Sequence, residues 1–137
     1  MSKITITGTG SELYNRLVIG AGAFIGSSPF FNLDEAIIIG GGVSIGPFVR
    51  IYTSSHRIGS SSCRRSSEIV RQPVIIGDGA WLGVGVTVLS GVTVGPGSVV
   101  CAGSLVNRDV APNTLVAGVP ATFVRMLPVD RSLRMAP

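Results

Sequence analysis

An aliphatic side chain returns at every sixth position from Val74 to Asn107: Ile76, Leu82, Val88, Val94, Val100 and Val106. Two residues before each stands a small or β-branched one: Val74, Ala80, Val86, Val92, Ser98 and Ser104. Glycine follows the aliphatic residue at Gly77, Gly83 and Gly95. A period of six is neither that of a helix nor plain strand alternation. It describes short strands joined by repeated tight corners. Self-similarity at a fixed short period marks a solenoid, and a six-residue unit marks a parallel β-helix. Three units close one triangular turn of about 18 residues.

The same register runs outside this stretch. It can be traced through Leu13, Ile19 and Ile25, and again through Ile39, Ile45 and Ile51, with Ile37, Val43 and Val49 as inward partners. Between Ile25 and Ile39 lie fourteen positions instead of twelve, so SSPFFNLDEA holds about two extra residues in a bulged corner or small excursion. From Thr53 to Gln72 the period vanishes; seven of these twenty residues are serine and four are arginine (Arg57, Arg64, Arg65, Arg71). A polar insertion in a regular solenoid predicts a loop thrown off one face, at about residues 54–72. Loops carried on rigid scaffolds are where function concentrates. The chain therefore reads as one all-β solenoid domain over residues 1–125, about five turns in all. Residues 1–12 form an N-terminal cap strand and 126–137 a short tail, partly helical or disordered.

Charge sharpens this picture. Only 13% of the residues are charged, against about 25% in ordinary domains, and across residues 74–107 the one charge is Asp78. The positions that should point outward there are Ile75, Trp81, Thr87, Thr93, Val99 and Leu105, four of them large and apolar. Exposed apolar strips mark interaction surfaces, so the prism walls predict a homo-oligomer. A net charge of +4 suits an anionic ligand, but no aromatic and basic platform points to nucleic acid. No apolar run reaches the length of a membrane span. Cys63 and Cys101 have no metal-ligand spacing and read as reduced thiols of a cytoplasmic protein.

Few residues can carry catalysis. His56 is the only histidine, and it opens the polar loop. Histidine ordinarily titrates near neutrality, which suits a general base. Glu68 is the only carboxylate in the same loop. It either orients His56 or pairs with Arg64, Arg65 or Arg71, and the residue pattern leaves both open. A zinc site wants three or four ligands, which one histidine and two scattered cysteines do not supply, so no metal is expected. The Gly-x-Gly matches are products of the repeat.

Three segments carry a family resemblance: IGPFVRIYTSSH (45–56), PVIIGDGAWLGVGVTVLSGVTVGPGSVVCAGSLVNRDV (73–110) and LVAGVPATFVR (115–125). Over about 100 of the 137 residues the chain resembles the hexapeptide-repeat acyltransferases, in the sugar and xenobiotic O-acetyltransferase branch that includes galactoside and maltose acetyltransferases. The resemblance implies a left-handed parallel β-helix, an exception to the right-handed crossover rule. It implies a homotrimer with active sites between subunits, and acetyl-CoA as acyl donor to a hydroxyl or amine of a small acceptor such as a sugar. His56 matches the family's catalytic histidine, and Glu68 falls near its loop glutamate. Trp81 matches the tryptophan beside the donor, while Gly83 and Ala102 match strand edges along the pantetheine arm. Asn107 and Arg108 stand where the family has Thr-Lys, and Arg125 closes the Gly-x-Pro-Ala motif; the two arginines would face the donor's phosphates. Two positions depart from the pattern. Ser28 replaces the acceptor-binding asparagine, with Asn32 nearby but out of register, and Val84 replaces a small polar residue.

A second reading is a non-catalytic β-helix, a scaffold or partner-binding repeat protein. The departures at Ser28 and Val84 favour it; His56, Trp81 and the Gly-x-Pro-Ala motif, which packing alone does not require, oppose it. The β-helical carbonic anhydrases need several histidines, and ice binding needs ranks of Thr-x-Thr; the chain has neither.

Overall fold

Strands of two or three residues cannot stand alone, so each must find its neighbours one turn above and one turn below. The computed structural model describes residues 3–130 and shows how they do so. In chain order the strands are β1 (Thr5–Thr7), β2 (Leu17–Ile19), β3 (Phe24–Ile25), β4 (Phe30–Asn32), β5 (Ile37–Ile39), β6 (Ser44–Ile45), β7 (Arg50–Ile51), β8 (Ser54–Ile58) and β9 (Arg65–Arg71). There follow β10 (Val74–Ile76), β11 (Trp81–Leu82), β12 (Thr87–Val88), β13 (Thr93–Val94), β14 (Val99–Val100), β15 (Leu105–Val106), β16 (Thr114–Gly118) and β17 (Ala121–Met126).

The coil visits three sheets in rotation. The first sheet has the order β2-β5-β10-β13, the second β3-β6-β11-β14-β16-β17, and the third β1-β4-β7-β12-β15. All pairings in these sheets are parallel except β16 with β17, which close the second sheet as an antiparallel hairpin. Four complete turns result, with β1 below them and a bridge at Val110 plus β16 above. The period-six aliphatics and their partners two residues earlier all point inward. Ile76, Leu82, Val88, Val94, Val100 and Val106 are buried, as are Val74, Ala80, Val86 and Val92. Each large side chain so buried contributes about 1.5–3 kcal/mol. Ser98 and Ser104 occupy inward positions of the last full turn. Their hydroxyls serve the turn above, Ser98 Oγ donating to Ala111 O at 2.6 Å and Ser104 Oγ accepting from Gly118 N at 3.1 Å.

Corner glycines serve two purposes, and Gly83 and Gly85 separate them. A Cβ on Gly83 would lie 2.7 Å from Ala102 N in the next turn, so the stacking of turns excludes any side chain there. Gly85 has open space around it but a φ of +67°, a conformation that costs an ordinary residue about 1–2 kcal/mol.

The ends differ from the regular reading. Leu13 lies in a short 3-10 helix, Leu13–Arg16, and not in a strand; it packs against the end of the core with Ile6 and Leu17. Ile19, read as inward, is 44% exposed because no full turn lies beneath it. The strand β1 pairs with β4 on the edge of the third sheet. Residues 127–130 have no regular structure, and the rest of the tail lies outside the described residues.

Candidate active site

Both interruptions of the period fall in one corner, the one from the third sheet to the first, in consecutive turns. The two extra residues lie in Leu33–Ala36, after β4. One turn later, after β7, the predicted loop emerges as an antiparallel ribbon of β8 and β9, with residues 59–64 at its tip. The two insertions are bonded together. Asn32 Oδ1 accepts from Thr53 N at 3.1 Å, from Thr53 Oγ1 at 3.0 Å and from Ser54 Oγ at 3.2 Å. Ser54 Oγ also donates to Asp34 Oδ2 at 2.7 Å. Thr53 is fully buried, so the ribbon is rooted in the core at its first residue.

Asp34 is the acid whose carboxylate is bonded into this root, beside Glu35, whose N–H donates to Thr53 Oγ1, and Arg16, which donates to the carbonyls of Leu33 and Asp34. Burial opposes the ionisation of Asp34, but hydrogen bonds from Ser54, Asn32 and Thr9 outweigh that and hold its carboxyl at about 2 against an ordinary 3.8. A carboxyl depressed in the folded state contributes stability that is present above its unfolded value and lost as pH falls through the folded one. Thermal melts should therefore show the advantage of the parent protein over Asp34→Asn shrinking as pH drops from about 4 to about 2. A difference independent of pH across that window would show that the carboxylate charge does not hold the ribbon's root.

His56 lies on β8, half-buried. Its Nδ1 stands 2.8 Å from Ser66 O. A carbonyl can only accept, so Nδ1 carries a hydrogen, and in the neutral ring Nε2 is then the nitrogen with the lone pair. The partner that orients the ring is thus a backbone carbonyl across the ribbon. Glu68 takes another role: Arg57 Nε donates to Glu68 Oε1 at 2.8 Å, and the two side chains are 61% and 63% exposed. The register explains the split. Ser54 lies opposite Arg71 and His56 opposite Ile69, and opposed residues share a face. Arg57 and Glu68 alternate with them and occupy the other face. An exposed pair of this kind stabilises by about 1 kcal/mol or less.

The donor-side candidates gather elsewhere. On the outer face of the second sheet, Phe24, Ser44, Trp81, Val99 and Leu115 stack in register from turn to turn. With Gly46, Pro47, Gly83, Val84 and Ala102 they line an apolar groove of about 550 Å³. Trp81 and Phe24 are 54% and 65% exposed. Arg125 lies opposite Leu115 on β17 and so continues the row at its upper end. Gly83 offers no free N–H, because that group donates to Val100 O at 2.9 Å inside the coil. Its contribution to the groove is the space left by a missing side chain.

Trp81, Gly83 and Ala102 are therefore brought together in one groove, with Arg125 on the strand beside its upper end, and the remaining candidates lie elsewhere. Asn107 and Arg108 are exposed in the corner after β15, above the ribbon's corner. Arg108 borders a second cavity of about 390 Å³ at the open end of the core. Ser28 sits in the corner before β4 with φ 56°, at the opposite end of that strand from Asn32 and the ribbon's root. Ribbon and groove are separated by the width of the third sheet. Sequence reading did not find the Asn32, Asp34, Ser54 cluster, although the slip of two residues was its visible trace.

Residues 73–108 match the model of the bacterial transferase hexapeptide family (six repeats). Galactoside O-acetyltransferase of Escherichia coli K12 is 36% identical over 99 residues, covering 69% of this chain and 48% of that protein. The hexapeptide-repeat acetyltransferase VCA0836 of Vibrio cholerae superposes with a TM-score of 0.81 at 37% identity, over 92% of this chain and 68% of that one. The chain belongs to the hexapeptide-repeat acyltransferase family. The coil of this hexapeptide-repeat protein is accordingly a left-handed parallel β-helix. The Vibrio cholerae protein has also been solved with acetyl-CoA (38% identity, TM-score 0.81, 92% and 66% covered), and a galactoside acetyltransferase with coenzyme A (28%, 0.79, 91% and 64%). The chain spans about half the length of the Escherichia coli relative.

Proposed function

We propose that the chain moves an acetyl group from acetyl-CoA to a hydroxyl or amine of a small acceptor, with His56 as general base. The observation that carries this reading is the bond from His56 Nδ1 to Ser66 O, which leaves Nε2 as a base on a ribbon that projects from the coil. The acceptor hydroxyl gives its proton to Nε2 as its oxygen bonds to the thioester carbonyl carbon. The carbon–sulfur bond then breaks, and coenzyme A leaves as a thiolate that takes up a proton. Backbone N–H groups would stabilise the oxyanion between these steps.

The groove of Trp81 fits the donor. It is long in the axial direction, apolar and clear of side chains at Gly83, and Arg125 at its upper end can meet phosphates with a bidentate fork. Arg108 and Asn107, at a different corner, would serve a donor held on a neighbouring copy. One chain keeps base and groove apart, so we place the site between two chains of a homotrimer, the ribbon of one facing the groove of the next. The uncharged walls and the exposed Val18, Ile38 and Ile75 of the first sheet support such an assembly. Free Cys63 and Cys101 and the use of acetyl-CoA agree with a cytoplasmic protein.

Release of free thiol from acetyl-CoA, followed with a panel of sugars, amino sugars and simple alcohols, tests the reaction. Acceptor-dependent release is expected, with KM for acetyl-CoA raised about tenfold in Trp81→Ala by loss of the aromatic contact. No release above the uncatalysed rate with any acceptor would remove acetyl transfer.

A further inference from the structure

Two arginines and no acid flank His56 along the ribbon. Arg71 lies opposite Ser54 in the regular part of the ribbon and so shares the face of His56, while Arg65 lies opposite Ile58 beyond the bulge, so that the two arginines stand on either side of His56 along the ribbon. Arg71 is a diagonal neighbour of His56, about 7–8 Å away between Cα atoms, within the reach of a guanidinium. Both arginines are exposed, and neither side chain has an ion pair or hydrogen-bond partner among the described residues. The one acid of the ribbon, Glu68, is on the opposite face and already bonded to Arg57. Asp34, at the root, is satisfied by Thr9, Asn32 and Ser54. Arg64, at the tip, contacts only the carbonyl of Gly59. A base flanked by two unpartnered, permanently cationic forks is complementary to an anion.

We propose that the acceptor is anionic, a hydroxyl compound bearing a carboxylate or phosphate, held by Arg65 and Arg71 so that its hydroxyl meets His56 Nε2. This rests on the acetyl-transfer reading for its chemistry. Neutral pyranosides would leave both guanidiniums unmatched. A carboxylate or phosphate a few bonds from the reacting hydroxyl would engage one or both.

The test pairs each neutral hexose with its uronate and its phosphate in the thiol-release assay, using the full chain. The anionic member should have the higher kcat/KM by about tenfold or more, the worth of one charged hydrogen bond. Arg65→Gln and Arg71→Gln should each raise KM for the anion about tenfold and leave KM for acetyl-CoA and the neutral acceptor unchanged. Arg64→Gln makes the same charge change at the ribbon's tip and should leave all three unchanged. Equal use of neutral and anionic acceptors would overturn the proposal, as would a rise in KM for acetyl-CoA alone, which would assign the arginines to the donor. Calorimetry with a hexuronate and a hexose phosphate, in the presence of coenzyme A, separates this from failure of acetyl transfer. Binding that is lost in both arginine variants supports the anion site even if no acceptor is turned over; absence of binding in the parent protein rejects it.

Discussion

His56→Ala is expected to lower kcat by about 10²–10⁴-fold, the usual worth of a general base, with KM for acetyl-CoA nearly unchanged. The split between the two constants follows from the geometry. His56 stands on the ribbon, whereas the groove of Trp81, Gly83 and Ala102 is lined wholly by the second sheet and its corner. Removing the imidazole therefore takes away proton transfer without touching the donor's walls. His56→Asn tests the ring's role more closely, since the amide can still donate to Ser66 O but supplies no basic nitrogen. It should be as inactive as the alanine variant. If either variant turned over at the parental rate, the histidine would have no part in the chemistry. If both lost coenzyme A binding, the ribbon would be a wall of the groove instead.

Residue pattern left two roles open for the loop acid, orienting His56 or pairing with Arg64, Arg65 or Arg71, and the structure gives it Arg57 instead. In the structure Glu68 bonds Arg57 on the face away from His56, so within one chain it does not orient the ring. The lesson is general for this fold. Stacked inward positions were legible because each repeats the same environment: a residue at Ile76, Leu82 or Val88 must be aliphatic for one reason, and periodicity reports that reason. The ribbon has no such repetition. That residues 54–72 form two paired strands, and that Ser66 supplies the carbonyl facing His56, depends on a bulged register between His56 and Ile58, which composition does not encode. Ser28 illustrates the same limit. Counting residues through the extra two placed it at the acceptor, whereas the coil absorbs them after β4 and puts Asn32 beside the ribbon's root. Leu13 failed for a different reason: it keeps the period, but the edge of β4 that its strand would take is occupied by β1, whose Ile6 pairs with Phe31.

Two inactive variants should restore activity when mixed. His56→Ala lacks the base but keeps a groove; Ala102→Trp, placed at the groove's corner, should fill it and keep the base. Each alone is expected to be inactive. If every site takes its ribbon from one chain and its groove from the next, a cyclic trimer containing both variants has one site with two intact halves. Random assembly from equal amounts makes mixed trimers the majority and predicts about a quarter of the parental activity. Co-denaturation and refolding, or co-expression with two tags, forms the hybrids, and thiol release reads them. The separation of His56 and Trp81 by the whole third sheet requires this outcome for a shared site, because no rotamer of either side chain spans it. A site completed within one chain predicts no recovery at any mixing ratio. Activity rising with the fraction of hybrid, in a species of three-chain mass by light scattering, would tie the base, the groove and the uncharged walls to one assembly.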